Sequence, residues 1–84
     1  MTYEEIRVME KLMDGGYDNL PAYCADWRAA SGISQSEVGE RCGLTKGTIS
    51  RFERGHIKSS VAISGYAACG MPVPRDLVVK YLAK

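Results

Sequence analysis

The chain has 84 residues and a formal net charge of +1, and this length fits a single domain, residues 1–84, with one modest core. No apolar run approaches the ~20 residues that cross a bilayer, and the acidic start is unlike a signal peptide, so we expect a cytoplasmic protein with no membrane partner. Residues 1–26 hold six acidic and two basic residues, whereas residues 27–84 hold nine basic and four acidic residues. This uneven charge indicates an anionic partner for the second part.

The first helix is predicted at residues 3–14. Thr2 and Glu5 form a capping box at its start, and paired glycines follow its end. Its apolar residues recur at helical spacing and form one stripe: Ile6, Met9, Leu12 and Met13. This extra N-terminal helix, residues 1–16, either covers the core or contacts a second subunit or another protein.

The second helix opens near Pro21, because proline is tolerated in the first turn of a helix. Gly32 ends it. Its inward stripe is predicted to contain Leu20, Cys24, Trp27 and Ser31.

Two short helices around a turn are predicted in residues 34–55. Ser34 and Glu37 form a second capping box, at the start of a helix that runs to residue 42. Residues 43–45 are the turn, and Thr45 caps a helix over residues 46–54.

The spacing of small and apolar residues in this segment fits two helices that cross steeply. A glycine is needed where their backbones approach and where the turn requires a positive φ, with apolar residues between. Counted from Gln35, these places are filled by Val38, Gly39, Cys42, Gly43, Leu44, Ile49 and Phe52. The segment therefore predicts a helix-turn-helix.

Ser59 or Ser60 caps a fifth helix, whose apolar side is Val61, Ala62, Tyr66 and Cys69. Residues 71–74 contain two prolines and cannot be helical throughout, because a residue before proline is pushed out of the α region. Pro74 can still open a last helix over residues 75–83.

The last helix carries four apolar residues, which either pack in the core or form a dimer contact: Leu77, Val78, Tyr81 and Leu82. No segment alternates with the period of a strand. The fold class predicted is an all-α, compact bundle of five to six short helices.

Cys24, Cys42 and Cys69 are widely spaced, without a C-x-x-C pair, and His56 is the only histidine. This pattern argues against a structural zinc site or a disulfide framework, and we expect no metal and no cofactor. Each cysteine is predicted to be a small apolar residue on a buried helix face in a reducing compartment, with a redox-sensitive thiol as the alternative.

Residues 27–37, WRAASGISQSE, and residues 49–55, ISRFERG, resemble the helix-turn-helix domain of phage repressors and Cro proteins, the XRE type. The resemblance covers about residues 20–82 and implies a lambda-repressor-like fold. It also implies a sequence-specific regulator of transcription, namely a repressor, that binds double-stranded DNA as a homodimer. The protein would then be bacterial or phage-encoded and associated with the nucleoid.

The resemblance places Gln35 where its side chain and backbone N–H would meet a phosphate, as a helix N-terminus favours. Arg51 is the first choice for reading a base, because arginine can bond guanine O6 and N7 together. Basic residues after the fourth helix are expected on phosphates, which makes binding salt dependent. The full predicted set is Gln35, Thr45, Lys46, Gly47, Thr48, Ser50, Arg51, Arg54, His56 and Lys58.

Gly47 departs from the family, since many relatives carry a base-reading side chain at this place. Either direct reading of bases is thin here, or the glycine lets the helix sit closer to DNA. In similar domains an arginine pairs with a glutamate near the end of the recognition helix, which implies a structural ion pair between Arg28 and Glu53.

An enzyme is not expected, because the chain has no Ser/His/Asp or Cys/His set at workable spacing and no G-x-x-x-x-G-K loop. Two other binding functions remain open. The chain could be an antitoxin that autoregulates through the same motif and binds a toxin through a terminal helix. It could also be a protein-only adaptor, which the basic residues of the fourth helix argue against.

Overall fold

The computed structural model describes residues 2–83, and these form six α-helices without any strand. All six predicted helices are present, with ends that differ by a residue or two. The predicted all-α bundle is therefore confirmed. The helices are α1 (Tyr3–Met13), α2 (Leu20–Ala30), α3 (Gln35–Cys42), α4 (Lys46–Glu53), α5 (Ser60–Ala68) and α6 (Arg75–Leu82).

Side-chain caps explain why the helices begin where they do. In the first capping box, Glu5 N–H donates to Thr2 Oγ1 at 3.2 Å and Thr2 N–H donates to Glu5 Oε1 at 3.2 Å. The box of Ser34 and Glu37 is also complete. These bonds satisfy backbone donors that have no partner inside the helix. Single side-chain caps start α2 at Asn19, α4 at Thr45 and α5 at Ser59.

The core lies where α4 and α5 pack on α2 and α3. Its buried residues are Tyr17, Leu20, Tyr23, Cys24, Trp27, Val38, Ile49, Phe52, Ala62, Tyr66 and Met71. Close packing of α3 on α5 depends on Gly65, because a Cβ there would lie 2.7 Å from the carbonyl oxygen of Val38. The sequence reading missed Gly65, although a glycine inside an apolar helix commonly has a packing reason.

The N-terminal helix covers part of the core, but only part of its predicted apolar stripe faces that core. Val8 and Leu12 pack against the buried cluster, whereas Ile6 is 45% exposed and Met13 is 81% exposed. At 3.6 residues per turn, Ile6 and Met13 lie roughly 100° from the centre of the inward face. The predicted stripe omits Val8, which packs against the core.

Val61, predicted on the apolar side of α5, and Leu82, for which core and dimer contact were both open, face outward. Val61 is 50% exposed, because α5 turns Ala62, Gly65 and Tyr66 toward α3 and α4. Leu82 is 51% exposed at the end of α6. The remaining three apolar residues predicted for that helix pack against the core: Leu77, Val78 and Tyr81.

All three cysteines are free. Cys24 is fully buried, whereas Cys42 and Cys69 are half-buried. Burial raises the pKa of the Cys24 thiol and of the Cys69 thiol, so both remain protonated at neutral pH. The inward stripe predicted for α2 is confirmed for Leu20, Cys24 and Trp27, which are buried. Ser31 is half-buried, and its Oγ has no hydrogen-bond partner among residues 2–83.

Candidate nucleic-acid interface

The turn between α3 and α4 sets the crossing of the two helices. Gly43 adopts a left-handed conformation at φ 75° and ends α3, and the N–H of Leu44 donates to the carbonyl of Gly39 at 2.9 Å. A Cβ on Gly39 would collide with the carbonyl oxygen of Leu44. These two glycines therefore let α4 leave α3 at close range.

A two-pronged ion pair holds the far end of α4 to α2. Arg28 Nε donates to Glu53 Oε2 at 2.6 Å, and Arg28 Nη2 donates to Glu53 Oε1 at 3.0 Å. Arg28 Nη1 also donates to the carbonyl of Ile33 at 2.9 Å. The side chains are only 18% and 6% exposed, so the pair is well shielded from water and from salt.

The Glu53 carboxylate accepts two further hydrogen bonds, from the hydroxyl of Tyr66 at 2.5 Å and from Nε2 of Gln35 at 3.0 Å. Burial alone would raise the pKa of Glu53, but the bonds from Arg28, Tyr66 and Gln35 outweigh it and hold the pKa below its usual value. One carboxylate thus ties α2, α3 and α5 to α4.

Two members of this network form bonds to Glu53 that the sequence did not indicate. Tyr66 was assigned to the core alone, and the sequence gives no sign that its hydroxyl reaches Glu53. Gln35 was assigned to a phosphate, whereas its side chain here turns inward. An amide nitrogen carries two N–H groups, so the bond to Glu53 still leaves Gln35 one donor.

The opposite side of α4 is polar and faces solvent. Lys46, Gly47 and Arg51 are exposed, and Thr48 and Ser50 are half-buried. No carboxylate within residues 2–83 forms a salt bridge with Lys46 or Arg51. This surface has the charge and the donors to attract an anion.

Three side chains of this outer side are linked to one another. Thr45 Oγ1 accepts the N–H of Thr48 at 3.1 Å and lies 2.9 Å from the hydroxyl oxygen of Thr48. Arg51 Nη2 donates to the same hydroxyl oxygen at 3.2 Å. Arg51, the residue predicted to read a base, is therefore held by a hydrogen bond to a side chain of its own helix.

Gly47 has no role in the fold that would require glycine. Its φ is not positive, and a Cβ at this place would have only ordinary contacts, the nearest at 3.6 Å from Arg51 Nη1. The interior therefore explains Gly39 and Gly65, whereas it leaves Gly47 unexplained.

The basic residues that follow α4 separate into two groups. Arg54 and His56 are exposed at the tight turn that ends the helix, on either side of Gly55. Lys58 instead lies against α6, with Nζ 3.5 Å from the carbonyl oxygen of Leu82 and 5.8 Å from the centre of the Tyr81 ring.

A comparison with protein families identifies the segment that contains α3 and α4. Residues 25–64 match the family model described as helix-turn-helix. Residues 25–64 therefore form a helix-turn-helix domain, and the match supports the resemblance to the Cro and phage-repressor (XRE) type. No curated protein and no solved structure matches the chain.

The matched residues contain α3, α4, most of α2 and the first half of α5, and they leave α1 and α6 outside. The matched helix-turn-helix domain supports a DNA-binding regulator of transcription. No helix within residues 2–83 has the length and hydropathy to cross a membrane. No group of His, Cys, Asp or Glu side chains in the same range could hold a metal ion.

Proposed function

We propose that this helix-turn-helix protein is a sequence-specific repressor that inserts α4 into the major groove of DNA. The observation that carries the proposal is the outer side of α4, where Lys46 and Arg51 are exposed and offer donors to base edges. The major groove admits a helix and presents a distinct pattern for each base pair. Arg51 is the residue proposed to read guanine.

Phosphate contacts are proposed at both ends of the motif. Gln35 and the backbone N–H groups at the start of α3 form an anion-binding helix end, with one amide donor left beside the bond to Glu53. Arg54 and His56 are exposed after α4. Each neutralised phosphate should steepen the dependence of affinity on salt by about 0.9 in the double-logarithmic slope.

We further propose that the protein binds as a homodimer. One α4 offers few side chains that can reach bases, and a two-fold dimer doubles the contacts by placing half-sites ~34 Å apart. Val79 and Leu82 are 59% and 51% exposed on α6. They are available to a second subunit, while the other apolar residues of that helix are used by the core.

Selection from a random duplex pool tests this function. We expect a palindromic consensus, and we expect affinity for it to fall steeply between low and physiological salt. A reporter with the selected site inside a promoter should lose expression when the protein is made. Equal binding to all sequences would contradict the specificity, and a rise in expression would contradict repression.

A second candidate function is an antitoxin, and exposed residues of α1 favour it. Tyr3 is 65% exposed and Met13 is 81% exposed on a helix that the family match leaves out. An antitoxin needs such a surface for its toxin. If an adjacent reading frame is toxic, Met13→Glu should abolish neutralisation while DNA binding stays intact, whereas a harmless neighbouring frame would exclude this function.

A further inference from the structure

Arg51 is held in place before any DNA is present. Its Nη2 donates to the hydroxyl oxygen of Thr48 at 3.2 Å, one helical turn earlier, and Nη1 lies near the bare backbone of Gly47. A long exposed side chain otherwise samples many rotamers, and fixing it at an interface costs free energy. The hydrogen bond with Thr48 restricts Arg51 in advance.

This hydrogen bond leaves the arginine able to read guanine. A guanidinium has five N–H donors, and each of its two bidentate edges uses one N–H of Nη2. Because Nη2 carries two N–H groups, the bond to Thr48 removes one edge and leaves the other complete. That edge provides the two parallel donors that guanine O6 and N7 require.

The hydroxyl of Thr48 is not needed to cap the helix. Thr45 already accepts the backbone N–H of Thr48 at 3.1 Å. The two threonine oxygens lie 2.9 Å apart, so their contact fixes the rotamer of Thr48 as well. The result is a chain of three side chains, Thr45, Thr48 and Arg51, that begins at the helix cap and ends at the guanidinium.

We propose that Thr48 is a positioning residue that holds Arg51 for one guanine in each half-site. The inference rests on the proposed function, because it assumes that Arg51 reads a base. It assigns the specificity at that base pair to two residues, of which only Arg51 contacts the guanine. Thr48→Val is the appropriate test, since valine keeps the β-branched shape and removes the hydroxyl.

Binding of the full chain is measured on two duplexes. One is the selected duplex, and in the other a different base replaces the guanine for which Arg51→Ala has lost the preference. Thr48→Val should weaken binding to the selected duplex by about 3- to 10-fold and leave the replaced duplex unchanged. Thr48→Ser retains the hydroxyl and should restore most of the loss. Thermal melts of each variant check that the fold is retained.

The double variant separates positioning from direct contact. If Thr48 acts through Arg51, Thr48→Val should have no further effect in the Arg51→Ala background. An equal loss in that background, or a loss of preference at a different base pair, would mean that Thr48 contacts DNA itself and would overturn the inference. No change on the selected duplex would also overturn it.

Failure of the underlying function gives a different result. If Arg51→Ala keeps every base preference of the parent, then the reading by Arg51 is wrong and the role of Thr48 falls with it. If Arg51→Ala loses one base pair while Thr48→Val changes nothing, only the positioning role is wrong.

Discussion

The two sides of α4 differ in what surrounds them. On the inner side, Ile49 and Phe52 are fully buried, and Glu53 is bonded by groups from α2, α3 and α5. On the outer side, the side-chain hydrogen bonds that Thr48 and Arg51 form within residues 2–83 stay within α4 and its cap at Thr45. The interior explains the residues of the first side and does not explain those of the second.

This difference indicates that stability and DNA binding depend on separate residues of one short helix. Substitutions on the inner side should lower the free energy of unfolding, and affinity should fall only through misplacement of α4. Substitutions on the outer side should change affinity at nearly constant stability.

The largest loss of stability is expected for Glu53→Gln. It removes the charge that pairs with Arg28, and breaking a shielded pair by removing one partner should cost about 3 kcal/mol. Urea unfolding measures the loss. Glu40→Gln is the matched control, because Glu40 is exposed on α3 and its change should stay within about 0.5 kcal/mol. Equal stability of both variants would show that the pair contributes nothing.

Gly39→Ala should be the next most damaging. The added Cβ would collide with the carbonyl oxygen of Leu44, and this backbone atom cannot move without opening the turn between α3 and α4. Overpacking of this kind costs about 1–3 kcal/mol. A melting temperature equal to that of the parent would mean that the two helices can separate without loss.

Acid should weaken the inner side through Glu53. Its folded pKa lies below the usual 4.5, so the unfolded chain takes up this proton first as pH falls. The stabilisation is complete above about pH 4.5 and is lost as pH drops through the folded pKa. Below that pH, the free energy of unfolding measured in urea should depend less on pH in Glu53→Gln than in the parent. An unchanged dependence would contradict the lowered pKa.

Gly47→Ala should have the smallest effect on stability and the opposite sign to Gly39→Ala. The Cβ has room, and alanine is favoured over glycine in a helix by up to about 1 kcal/mol. We expect a slightly higher melting temperature together with weaker binding to the selected duplex, if the bare backbone lies close to DNA. Unchanged affinity would refute the close approach.

Much of the fold could be predicted from sequence because local signals agree with it. Capping boxes, a cap at Thr45 and glycine stops fix the helix ends, and the spacing from Val38 to Phe52 fixes the motif. The outward positions of Ile6, Met13 and Val61 have another origin. Apolar spacing gives a face of a helix but not its rotation against neighbours, which depends on tertiary packing.

The candidate site was less accessible to sequence reasoning. The pairing of Arg28 with Glu53 was implied by the resemblance, whereas the hydroxyl of Tyr66 and the inward amide of Gln35 reach the same carboxylate only in three dimensions. The sequence shows Lys58 as a basic residue near the motif. Its contact with α6 depends on how that helix packs against the rest of the bundle. Which of the predicted residues contact DNA remains a prediction.

The central claim is that the outer side of α4 reads DNA through Arg51, and Arg51→Ala tests it most directly. Sites are selected from a random pool with the parent, with Arg51→Ala, and with Arg75→Ala, which removes an exposed arginine on α6. We expect Arg51→Ala to lose the preference for one G·C pair in each half-site, a discrimination of about 1–3 kcal/mol, while its stability and the selectivity of Arg75→Ala stay unchanged. An Arg51→Ala protein that keeps the parental preference at every position would contradict the account.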